Sequence, residues 1–86
     1  MGGRPPRRML IKHSFSLVGH RTSVALEAEF WEVLTAAAAA KGMALSALVA
    51  AVDTGREAER PLASALRLWA LAWTAADGKI SVAGDA

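Results

Sequence analysis

The sequence predicts a mostly α-helical chain that opens with a short β ribbon, in the order β-α-α, and continues into an additional C-terminal helix. Three observations predict it. Apolar and polar side chains alternate with period two before residue 27. From Glu27 onward the apolar period becomes helical. Gly42, Gly55 and Pro61 then punctuate the chain where helices are expected to stop or start.

Residues 1–9, MGGRPPRRM, combine Gly, Pro and Arg and are expected to form a flexible basic arm. Next, His13, Phe15 and Leu17 share one parity, while Lys12, Ser14 and Ser16 share the other. After Gly19, Thr22, Val24 and Leu26 alternate with Arg21, Ser23 and Ala25. A two-residue turn at Gly19-His20 would pair Leu17 with Thr22 and Phe15 with Val24, with the apolar residues on one face. The stretch before Gly19 reads either as an extra N-terminal hairpin strand or as an extended arm.

The first helix is expected from Glu27. Phe30, Leu34, Ala37 and Ala38 form its apolar stripe, and Glu27, Glu29 and Glu32 occupy the turns where acids favour the positive end of the dipole. The alanine run 36–40 has the highest intrinsic helix propensity, and Lys41 with Gly42 ends it. A second helix follows over about Ala44 to Thr54, with Leu45, Leu48, Val49 and Val52 on its stripe. The charged segment Arg56 to Arg60 leads to Pro61 and a third helix, about Leu62 to Ala76. On that helix Leu62, Leu66, Trp69 and Trp73 share a face, while Leu68 and Leu71 spread apolar surface around it, a pattern expected of a helix buried on two sides. Trp31 lies off the first helix's stripe and is expected to meet the third helix or the N-terminal segment. A single domain over residues 10–76 is therefore expected, with 77–86 as a loose tail.

The chain has 86 residues, 53% hydrophobic, much of that alanine. A chain so short buries a modest core, which favours pairing with a second copy. Its net charge of +2 is unevenly spread. Residues 1–26 carry Arg4, Arg7, Arg8, Lys12 and Arg21 and no acid; the remainder holds five bases and eight acids. A basic leading segment on a mildly acidic body suggests an anionic partner for that segment, or simply a solubilising tail.

Enzyme chemistry is not expected. With no cysteine, thiolate catalysis, thiolate metal sites and disulfides are excluded. His13 and His20 have no carboxylate near them in sequence and read as solvated or groove-facing residues rather than metal ligands. No glycine loop suited to cradling phosphate is present. No cofactor is expected. No apolar run reaches the ~20 residues that span a bilayer, and no helix has a lysine-rich polar face, so no membrane role is expected. The expected location is the cytoplasm, beside the nucleoid.

Three pieces of the sequence carry a resemblance: Gly19-His20-Arg21-Thr22-Ser23, Leu26-Glu27 with Phe30-Trp31, and Ser64-Ala65-Leu66-Arg67-Leu68. With the stretch Arg21 to Asp53 between them, the chain resembles the small bacterial ribbon-helix-helix domains. The resemblance implies an intertwined homodimer in which one strand from each copy pairs antiparallel, and the ribbon enters the major groove of double-stranded DNA. It implies a regulator of transcription, with Arg21, Ser23 and Ala25 facing the bases. Arg21 can reach guanine O6 and N7, Ser23 can donate or accept, and Ala25 offers only a methyl. The start of the second helix, Ala44, Leu45 and Ser46, would grip phosphate through backbone N–H groups. Arg4, Arg7, Arg8 and Lys12 would add phosphate contacts. Val24, Leu26, Phe30, Leu34, Leu48 and Val52 would form the dimer core.

A groove of ~12 Å suits two strands. If residues 10–18 form a strand, the paired sheet has four and is too broad to enter as a simple ribbon. Either that segment peels away as an arm, or the sheet docks differently. The alternative function is a protein-interaction module, an antitoxin-like dimer whose third helix and tail bind a partner protein.

Overall fold

The computed structural model describes residues 9–77. Two strands, β1 (Leu10–Leu17) and β2 (His20–Glu27), precede three helices, α1 (Ala28–Ala40), α2 (Leu45–Gly55) and α3 (Leu62–Asp77). The strands form an antiparallel hairpin, so the segment before Gly19 is a strand and not an extended arm. The expected arm, residues 1–8, and most of the expected tail, residues 78–86, lie outside the described residues.

The hairpin register differs from the expected one. Leu17 pairs with His20, Phe15 with Thr22 and His13 with Val24, which places the turn at Val18-Gly19 rather than Gly19-His20. Gly19 has a φ of 84°, the only positive φ among the described residues before α1, which suits glycine at the second corner of a type II turn. A two-residue slip preserves parity, so the same side chains face inward in either register. What separates the two is packing beneath the sheet. The Trp31 indole N–H donates to the Ile11 carbonyl at 2.8 Å. His13 meets the Trp31 ring edge-on at 4.4 Å, and Phe15 lies 5.9 Å from it. Trp31 thus joins the N-terminal segment, one of its two expected partners.

Replacing Trp31 by Phe keeps an aromatic ring and removes this donor. We expect a loss of about 1–3 kcal/mol from the unpaired, partly buried carbonyl, seen as a lower melting temperature and faster amide exchange in β1. Unchanged values for both would mean the hydrogen bond does not fix the strand.

The helix α1 stops as its sequence predicts. Gly42, at φ 70°, donates to the Ala39 carbonyl, and Met43 donates to Ala38, the paired bonds of a Schellman motif. The chain then bends by 101° into α2. At the start of α3 the Pro61 carbonyl accepts from Ala65 N–H at 3.0 Å, and proline loses nothing by lacking a donor there. The helix takes in Asp77, where the loose tail was expected to begin.

The core lies between the inner face of the hairpin and the three helices. Phe15, Leu17, Val24 and Leu26 meet Trp31, Leu34, Ala37 and Ala38 of α1, Leu48 and Val49 of α2, and Leu66 and Ala70 of α3. No buried residue among those described is polar or charged. The helix α3 is not buried on two sides: Leu68 and Leu71 are 48% and 55% exposed. Its inner stripe alone covers the core, because α1 and α2 fill only one side of it. No single helix is long and apolar enough to cross a membrane.

Candidate nucleic-acid interface

The outward face of the hairpin follows from its register. Arg21, Ser23 and Ala25 on β2 stand opposite Ser16, Ser14 and Lys12 on β1. Arg21 and Ser23 are exposed and Ala25 is half-buried; Lys12, Ser14 and Ser16 are all exposed. The Ser14 and Ser23 hydroxyls meet at 3.1 Å, linking the two strands across this face. Two cations sit on it. Its one acid, Glu27, lies at the far end opposite Leu10.

Glu27 serves the fold. It occupies the N-cap position of α1 with extended backbone, and its side chain makes no capping bond. Instead its Oε1 accepts from Arg67 Nε at 3.1 Å, with Arg67 Nη2 at 3.0 Å. The Arg67 guanidinium also stands 5.7 Å from the centre of the Phe30 ring. This brace joins the end of β2, α1 and α3 at the base of the ribbon. Both charged side chains keep about 30% of their exposure, so water weakens the pair and its main effect is positional.

The start of α2, where phosphate contacts were expected, falls at the residues named for it. Ala44 is the N-cap, extended and without a side-chain cap, followed by Leu45 and Ser46. Ala44 and Ser46 are exposed and Leu45 is half-buried. Lys12 is on β1, while Arg4, Arg7 and Arg8 lie outside the described residues.

Of the six residues assigned to a dimer core, Val24, Leu26, Leu34 and Leu48 are already buried within the single chain. Phe30 and Val52 are half-buried and pack against the same cluster. Within the single chain the cluster is completed by β1 and α3, through Phe15, Leu17, Leu66 and Ala70. That follows from β1 closing as a hairpin strand, which adds an apolar face the arm reading lacked.

Sequence reasoning left Ser14, Ser16 and Arg67 out of the site. The serines were legible, since they share the polar parity with Lys12. The Arg67–Glu27 contact, 40 residues apart, has no local signal.

A hairpin laid on two helices that meet at a sharp turn, with a polar outer face and an extra helix behind, defines a small β-α-α ribbon protein. A family model for the ribbon-helix-helix domain matches residues 10–74 of the 86, and the chain belongs to that family. Proteins of this family generally dimerise and bind DNA, and are generally not enzymes. Comparison with curated proteins and with solved structures returns no match.

Proposed function

We propose that the chain is a DNA-binding regulator of transcription that acts as a homodimer in the cytoplasm. Two copies pair their β2 strands antiparallel and present Arg21, Ser23 and Ala25 to the floor of the major groove. The observation that carries this reading is the outward face of the hairpin, where Lys12, Ser14, Ser16, Arg21 and Ser23 are all exposed and the braced Glu27 is the one acid. Phosphate and base edges are the surfaces that such a face complements.

Pairing is favoured by the outer edge of β2, which has no strand partner among the described residues. An open edge of this kind is a template for another strand. The N-terminal turn of α2 and the arginines at positions 4, 7 and 8 add phosphate contacts, so affinity falls as salt rises.

A second reading, the protein-interaction module, is favoured by one feature. A groove of about 460 Å³ lies between α2 and α3, with Val52, Ala65, Leu68 and Trp69 along it and Arg56 and Arg60 at its rim. Leu68 is exposed there, and Leu71 on the same helix is exposed as well.

Selection of duplex fragments from a random pool by the purified protein, followed by sequencing, tests the main reading. We expect enrichment of a short, inverted-repeat motif and binding that weakens steeply with salt. Failure to retain any duplex at low salt would overturn the DNA reading and leave the interaction module.

A further inference from the structure

We propose that β1 is a phosphate clamp that flanks the reading strand, with Lys12 and Ser16 holding the DNA backbone while β2 reads bases. The proposal rests on the paired-strand DNA reading above; to the phosphate contact expected of Lys12 it adds Ser16 and a place for the whole of β1 over the groove wall.

Width decides it. Neighbouring strands lie about 4.8 Å apart, so a four-stranded sheet in the order β1-β2-β2-β1 measures about 14 Å between its outer strands. The major groove is about 12 Å wide. The two central strands fit the groove, and the outer pair falls over the sugar–phosphate walls. In the structure β1 is fully paired to β2 over eight residues, from Leu10↔Glu27 to Leu17↔His20, so it travels with the reading strand instead of peeling away.

The side chains that β1 turns outward suit that place. Lys12 and Ser16 lie four residues apart on the same face, about 13 Å along the strand, and both are exposed. An ammonium and a hydroxyl are phosphate-binding groups that carry no base code. Ser14, between them, has a different task, because its hydroxyl meets that of Ser23 and orients it. Lys12 pairs with Ala25, the least polar of the three β2 positions, and Ser16 with Arg21. Each cation on the face therefore has a neutral residue across from it, which spaces positive charge on both strands.

The test uses the full-length protein and the double variant Lys12→Ala/Ser16→Ala, with Ser14 left in place so that Ser23 keeps its partner. Affinity is measured by fluorescence anisotropy for a selected duplex and a scrambled one over a range of salt. We expect affinity to fall about tenfold or more on both duplexes alike, keeping their ratio. The slope of log affinity against log salt should shrink by about 0.9 for each lysine lost, or about 1.8 per dimer. Thermal melting should match the parent, as both side chains are exposed. A changed ratio would overturn the clamp by showing that β1 reads bases, as it would if a single hairpin entered the groove alone. Unchanged affinity and slope would also overturn it, while Arg21→Ala, run alongside, reports whether β2 still binds DNA. If the parent protein binds neither duplex, the DNA reading itself has failed.

Discussion

Replacing Leu34 by alanine is expected to destabilise the chain by about 2–5 kcal/mol. Leu34 is fully buried in α1, between the inner face of the hairpin and the other two helices. The variant loses the transfer free energy of the side chain and leaves a cavity that a close-packed core fills only in part. Small domains have about 5–15 kcal/mol in total, so the change consumes a large share. Each kcal/mol should lower the melting temperature by about 4–8 °C in a domain of this size. Because the cluster around Leu34 closes within one chain, the loss should register as unfolding of the chain and not as separation of folded copies. Thr35→Ala, on the exposed side of the same helix, should shift stability by less than about 0.5 kcal/mol. A Leu34→Ala protein that melts with the parent would show that the described core is not the one that holds the fold.

The second large effect concerns binding. Arg21→Ala is expected to weaken binding to a selected duplex by about 1–3 kcal/mol per half-site, the discrimination a bidentate arginine–guanine pair supplies. The Arg21 side chain is exposed on the outer face of β2, opposite Ser16. Its removal should leave melting unchanged and should relax the preference at one base position in each half-site. Titration of the variant against the selected duplex and against single-base substitutions measures both. Full affinity with full preference would remove β2 as the reader.

Much of the fold was legible because its local signals agree. The period-two parity of residues 12–26, the alanine run ending at Lys41-Gly42, and Pro61 before α3 each point the same way as the final packing. The register of the hairpin was not, since a two-residue slip leaves every side chain on its face, and what distinguishes the two is non-local: Trp31 reaching Ile11 from α1, and Ser14 meeting Ser23 across the strands. The outward leucines of α3 were misjudged for a related reason. Apolar residues around a helix show how much surface could be covered, not what arrives to cover it. In the site, Arg21 and Ser23 were visible as the polar parity of one strand. Ser14 and Ser16 gained meaning only once their strand, β1, was seen paired beside β2, and Arg67 only once α3 was seen to reach Glu27.

The hairpin has one more consequence. Phe15 and Leu17 of β1 cover the apolar underside of their own chain. Under the proposed pairing of β2 strands, two such covered subunits would meet edge to edge, and their exchange would be expected to depend on dilution more than on melting.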